Sequence, residues 1–306
     1  MKLIYFIIAL LTSNVAHAQT KIDVISRISN SNVSGQLAVQ FLNKLNQIQS
    51  DYEFRYMTIP GSAGESAYQR VLAVKNNVIL YGNQSFFSNP KMNTNNRVDQ
   101  FHFLSSHMVS YAAFMVSPDN PANTIDEFVA QMRARNGFYA ASINSSGGGP
   151  VLTSVFLDKY KLENNVKIIH YKNVPDRVRA LIVKEADFMI NNPASANVAE
   201  NGSLKIIAMS SPERLSEYPN VPTGAELGFP EFLFGAYTSF AILKSEKELI
   251  AKIQPLFEKV CADPEIKKLI TDRKYVPVCI NDSAIKKLVA DEKKMFIERG
   301  IEFDLD

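Results

Sequence analysis

The sequence lacks the side-chain groupings that chemistry on a substrate needs. No G-x-S-x-G elbow presents a nucleophile, and no stretch assembles a nucleophile, a base and an oxyanion donor. Residues 60–66 hold glycines but not the lysine of a phosphate-binding loop, and neither glycine turn has the G-x-G-x-x-G spacing of a dinucleotide fold. Histidine is scarce. Beyond His17 there are His102, His107 and His170, and the step between the first two is no metal-site spacing. Both are read as surface or core residues. These absences argue against an enzyme and against any metal or cofactor. A surplus of one charge is missing too: the formal net charge is +2, so nothing marks a nucleic-acid partner.

Long apolar runs are absent except at the start. Lys2, the apolar residues 3–11 and the triplet Ala16-His17-Ala18 form an export signal, residues 1–18, with cleavage near Ala18. The apolar stretch falls short of the roughly 20 residues that span a bilayer. No cysteine stands at the cleavage point, so no lipid anchor is expected, and the mature chain begins near Gln19. In a bacterium it resides in the periplasm. Loss of Lys2 lowers the net charge from +2 to +1. Cys261 and Cys279 are the only cysteines. An oxidising compartment favours a disulfide between a C-terminal helix and the strand-like residues 275–280; two buried thiols are the alternative, because the sequence holds no Cα separation.

What is present is globular and long enough for two domains: 306 residues, 46% hydrophobic and 21% charged. One stretch stands out, Ser145-Ser146-Gly147-Gly148-Gly149-Pro150. It follows an apolar run and precedes a helical pattern in which Val151, Leu152, Val155 and Phe156 recur on one face. Glycines allow close approach of a guest atom, and free N–H groups at a helix start favour a carboxylate or phosphate. A plain glycine-rich turn with a serine cap is the competing reading. A second such turn, Pro60-Gly61-Ser62-Ala63-Gly64, suggests two lobes facing one small anion.

Strand-like segments at residues 22–28, 54–59, 78–81, 103–116, 166–170, 187–190, 204–209 and 237–243 alternate with amphipathic helical ones. Alternation of this kind means an α/β fold with largely parallel sheets. Thr124 caps a helix whose buried face is Ile125, Phe128, Val129 and Met132.

Residues 201–232 carry a longer pattern: Gly202-Ser203-Leu204-Lys205, Arg214, Pro219-Asn220-Val221-Pro222-Thr223 and Glu226-Leu227-Gly228-Phe229-Pro230. It resembles the signature of the periplasmic solute receptors of tripartite tricarboxylate transporters, the Bug family. Pro60-Gly61-Ser62-Ala63-Gly64, Tyr171-Lys172 with Pro175, and Ala186-Asp187 with Asn191 resemble further family segments in the same order. The resemblance implies a two-lobed clamshell, each lobe a mostly parallel sheet flanked by helices. Lobe 1 would be residues 19–117 with 236–306, lobe 2 residues 118–235, with hinges near 113–117 and 235–241. It also implies a small carboxylate ligand, a di- or tricarboxylate, amino acid or related organic acid, held by backbone N–H groups and hydroxyls. The candidate contacts are Asn30, Ser31, Asn32, Ser62, Ala63, Ser85, Ser145, Ser146, Gly147, Gly148, Tyr171, Asn191 and Asn192. Loop capping competes as a role for the first three. Transporter membrane subunits would be the partner of a monomeric receptor. A receptor feeding a sensor kinase and an exported enzyme on this fold are the rivals. Ser31, Asn32 and Gly35 replace two glycines and an aspartate usual in the family, and Asn191 replaces an aspartate.

Overall fold

Two winds of strand and helix build two sheets, seen in a computed structural model that describes residues 19–61, 64–88, 97–135, 139–143, 148–171, 173–197 and 204–300. The first wind is β1 (Thr20–Ser26), α1 (Val33–Ile48), β2 (Tyr52–Thr58), α2 (Glu65–Val74) and β3 (Val78–Asn83). The short α3 (Ser85–Ser88) and the long β4 (Phe101–Tyr111) follow. The second comprises β5 (Ala113–Val116), α4 (Ile125–Ala134), β6 (Tyr139–Ile143), α5 (Gly148–Tyr160), β7 (Val166–His170), α6 (Val174–Ile182), β8 (Phe188–Asn191) and β9 (Lys205–Met209). The chain then returns through β10 (Gly235–Leu243), α7 (Lys247–Ala262), α8 (Pro264–Asp272), β11 (Val276–Ile280) and α9 (Asp282–Glu298). Among the described residues no helix is long and apolar enough to cross a membrane.

The helices form where apolar residues return every three or four positions. In α1 these are Leu37, Phe41, Leu42 and Leu45, all buried, and the Asn32 side chain caps the helix by accepting from the Ser34 amide at 3.0 Å. Thr124 does the same for α4 through the Glu127 amide, and Ile125, Phe128, Val129 and Met132 are its buried face. In α5 the expected stripe Val151, Leu152, Val155 and Phe156 is buried throughout.

The sheets share one strand order. The first runs β11-β4-β10-β3-β1-β2, the second β7-β6-β8-β5-β9. In both, one strand pairs in parallel with two neighbours (β1 with β2 and β3, β6 with β7 and β8), and the next strand over (β10, β5) runs antiparallel, so both sheets are mixed. The expected single strand over residues 103–116 is two strands in different sheets. Tyr111 pairs with Gly235 in the first, whereas Ala113 pairs with Asn191 and Met209 in the second. The change of sheet thus falls at Ala112, ahead of the expected boundary after residue 117. The break is chemical: the buried Ala112 N–H donates not to a strand carbonyl but to the Ser210 hydroxyl, at 2.8 Å. A second passage lies at Phe234. The helix α9 makes a third link, with Ile285 and Val289 packed against the first sheet and Phe296 in the core of the second. The last turns of α9 therefore do not belong to the first unit alone.

Cys261 in α7 and Cys279 in β11 are joined as a disulfide, with Cα atoms 5.7 Å apart and a sequence separation of 18. β11 is an edge strand with an irregular register against β4, so the bridge holds a weakly paired strand to the helix layer. Closing a loop of this length should stabilise the fold by about 3 kcal/mol. Cys279→Ser paired with Cys261→Ala should lower the urea-derived stability by that amount. An unchanged midpoint would remove the bridge from the list of stabilising features.

Candidate functional site

An open α/β sheet offers a ligand one privileged place, outside the carboxyl ends of two adjacent strands whose connections leave to opposite faces. Here α1 packs with α7 on one face of the first sheet, and α2 packs with α9 on the other. The switch point therefore lies between β1 and β3. In the second sheet α5 and α6 occupy opposite faces, which places it between β6 and β8. The run from β4 through Ala112 into β5 joins these two edges, because Tyr111 ends at the carboxyl edge of the first sheet and Ala113 starts beside Asn191 at that of the second. The two switch points thus open on the same crossing.

At the first edge a small pocket is lined by Arg27, Ile28, Gly64, Ala67, Leu80, Tyr81, Gly82, Asn83 and Phe86. Its floor is rigid. The Tyr81 ring is buried against Phe240, with centroids 4.7 Å apart, and its hydroxyl donates to the Ser34 carbonyl at 3.0 Å. Tyr56 donates to the Ile28 carbonyl at 2.8 Å and so ties down the loop after β1. Gly64 caps α2 with φ +110°, a conformation L side chains avoid, and no side chain caps the first turn of that helix. The Gln84 side chain, 3% exposed, donates to the Gly235 carbonyl at 2.6 Å and locks the loop after β3 to the start of β10.

The expected contact residues divide. Asn32 is spent as the α1 cap, and Ser31 pairs its hydroxyl with that of Ser29 at 2.8 Å, so both hold the loop's own shape; Asn30 beside them is exposed. Ser85 opens α3 at the first edge. Ser62, Ala63, Ser145, Ser146 and Gly147 lie outside the described residues. Gly148 opens α5, and a Cβ there would stand 2.5 Å from the Phe234 ring, so the start of α5 is seated on the second passage between the sheets. Asn191 donates to the Ser195 hydroxyl at 2.9 Å. The Asn192 amide donates to the Ser110 hydroxyl while its oxygen accepts from the Ala194 N–H, which makes it a tie between β4 and the end of β8. Tyr171 leaves the edge: it packs among Val174, Ile182 and their neighbours, and burial, then the Glu185 carboxylate, raises its pKa.

Two arginines were not singled out from sequence. Arg27 directly follows β1 and lines the pocket with its side chain exposed. Arg177, 5% exposed in α6, directs its Nε at the Asn173 carbonyl and leaves Nη1 without a hydrogen-bond partner; burial lowers its pKa. A lone arginine gives no motif. Only strand order shows that Arg27 ends the strand at the switch point. The edges also share an absence. Residues 27–32, 59–61, 82–85 and 191–195 hold no carboxylate, and Glu65, which opens α2, is taken by Arg97. Among the described residues no cluster of three metal-binding side chains exists.

The Val221-to-Gly228 block is architectural. The Met209 N–H donates to the Pro222 carbonyl at 2.9 Å and Met209 accepts from the Gly224 N–H at 3.0 Å, which extends β9. Thr223 and Glu226 cap each other reciprocally, and Arg214 donates to both Glu226 oxygens at 2.9 Å.

Comparison with known proteins agrees with this architecture. Residues 71–299, about three quarters of the chain, match the model of the family described as "Tripartite tricarboxylate transporter family receptor". Protein BugT of Bordetella pertussis is 26% identical over 184 residues, covering 58% of this chain and 55% of that protein. The match to a Cupriavidus necator protein covers 60% of it, so the chain spans less than two thirds of the curated relatives it matches. Among solved structures, R. palustris Rpa4515 with adipate superposes with a TM-score of 0.72 at 15% identity, covering 92% of this chain and 98% of that one. MatC from Rhodopseudomonas palustris with bound malate gives 0.69 at 14% identity, with 92% and 98% covered. These likenesses are to the two-lobed α/β clamshell of periplasmic binding proteins.

Proposed function

The chain belongs to the tripartite tricarboxylate transporter receptor family, and on that premise we propose that it is a periplasmic receptor for a small carboxylate-bearing metabolite, handed to the membrane subunits of a tripartite transporter. The observation that carries the reading is the composition of the two carboxyl edges. They are joined at one crossing, residues 27–32, 59–61, 82–85 and 191–195 along them carry hydroxyls and amides but no carboxylate, and the neighbouring acid Glu65 is taken by Arg97. Such a surface favours an anion and repels nothing acidic. The neighbours holding malate and adipate lend support to the ligand class.

In this reading residues 19–111 with most of 235–306 form one lobe and residues 113–233 the other. Asn30, Ser85, Gly148 and Asn191 would stand at the cleft rim. Lobe closure over the solute would select the state that the transporter recognises. The protein would act by binding alone, as a monomer.

The test is a thermal-shift screen against malate, adipate, citrate, acidic amino acids and their uncharged amides. A carboxylate at about 100 times its Kd should add roughly 2.7 kcal/mol of stability. A response to the amides alone, or to no member of the panel, would remove the carboxylate reading.

A further inference from the structure

We propose that Arg27 is the anion anchor of the crevice: its guanidinium takes one carboxylate of the solute in a two-point contact, so the solute must bring a full negative charge to the end inserted between β1 and β3. The inference rests on the receptor reading above and names the group that would enforce it.

Arg27 directly follows β1, at the switch point, and lines the pocket with Gly64, Gly82 and Phe86. Its charge is unanswered. Arg55, Arg97, Arg135 and Arg214 each engage a carboxylate, of Asp23, Glu65, Asp187 and Glu226 respectively, whereas Arg27 has no such partner among the described residues. The acid that opens the neighbouring helix, Glu65, is already consumed by Arg97.

The space around Arg27 is kept open by glycine. A Cβ on Gly64 would come within 3.2 Å of the Arg27 Cδ and 3.0 Å of the Phe86 ring, so any side chain there would displace one or the other. At Gly82 nothing lies within 4 Å of where a Cβ would stand, and the pocket wall stays bare. The remaining wall is apolar, from Phe86, Ala67 and Leu80. Arg27 itself is exposed in the open crevice, where an incoming solute can reach it. Closure of the lobes over it would strip water from the guanidinium, and there an unpaired charge is unfavourable and a carboxylate is held strongly. Guanidinium is planar with parallel N–H donors, which matches the two oxygens of a carboxylate and not a single hydroxyl. A neutral solute would leave Arg27 unpaired in the closed cleft.

Calorimetric titration of the purified protein with malate and with adipate tests this, comparing wild type, Arg27→Gln and Arg27→Lys. The glutamine variant should bind whichever acid the wild type binds at least tenfold more weakly, and the lysine variant should fall between. Since Arg27 makes no ion pair among the described residues, the melting temperature of the unliganded variants should match wild type. Binding by Arg27→Gln within twofold of wild type overturns the anchor and leaves the receptor reading standing. Should the wild type bind neither acid, the receptor reading rests on the wider thermal-shift panel, and sulfate titrated into 15N-labelled protein decides for Arg27 separately. A saturable shift of the Arg27 Nε–H resonance keeps it as an anion site; an unmoved resonance rejects it.

Discussion

Acidification from pH 7 to pH 3 should remove about 4 kcal/mol of folding stability through one residue, His107. Its imidazole is 1% exposed, between Phe41, Tyr81 and Phe240, at centroid distances of 5.2, 5.7 and 5.1 Å. Burial pushes its pKa down to about 3, against a weaker opposing pull from the Thr238 backbone. In the unfolded chain the same group titrates near 6.5. Between these values the unfolded state holds a proton that the folded state refuses, so stability falls as pH falls, by about 1.4 kcal/mol per unit in the middle of the window. Urea unfolding at intervals from pH 7 to 4 should show that slope in the wild type and lose it in His107→Gln. Equal slopes in the two proteins would mean that His107 titrates normally. Carboxylates whose pKa is held down by a lysine, Asp119 by Lys184 and Asp158 by Lys161, act in the same direction and remain in the variant. Tyr81, in ring contact with His107, is also among the residues that line the pocket with Arg27.

Much of the fold was legible because local pattern and tertiary demand agree. Residues 65–74 and 166–170 are a helix and a strand where periodicity places them, and the α1 and α4 faces are the ones their apolar spacing marks. Illegible features were those decided by a partner distant in sequence. Residues 103–116 read as one strand-like segment, and nothing local signals the break at Ala112, whose N–H donates to the Ser210 hydroxyl. Gly82 and Asn83 look like a polar loop, yet the strand continues through them because Ser239 and Thr238 of β10 lie opposite. The site was legible as a set of edges but not residue by residue. Asn32 and Asn192 have the right chemistry and spend it on a cap and a strand tie. Arg27 has the right place, which only strand order reveals.

Ser210→Ala should cost about 4 kcal/mol, and the reason bears on how the two sheets move. Ser210 directly follows β9, fully buried, and makes four hydrogen bonds that tie both passages between the sheets. Its hydroxyl accepts from the Ala112 N–H and donates to the Phe234 carbonyl, each at 2.8 Å. Its own N–H donates to the Ala112 carbonyl at 2.8 Å, and its carbonyl accepts from the Phe234 N–H at 3.2 Å. Removing the hydroxyl leaves one buried donor and one buried acceptor without partners, each worth about 1–3 kcal/mol. No water can reach them without opening the crossing. Hinge bending of a clamshell concentrates backbone rotation at such passages, and a clasp that couples them forces the two to turn together. The alanine variant should therefore lose more than stability. Hydrogen exchange at the Ala112 and Phe234 amides should accelerate well beyond that of amides in the α1 core, and small-angle scattering should report a broader distribution of lobe separations. A variant with weakened stability but unchanged exchange at Ala112 would place the loss elsewhere and reduce Ser210 to ordinary packing.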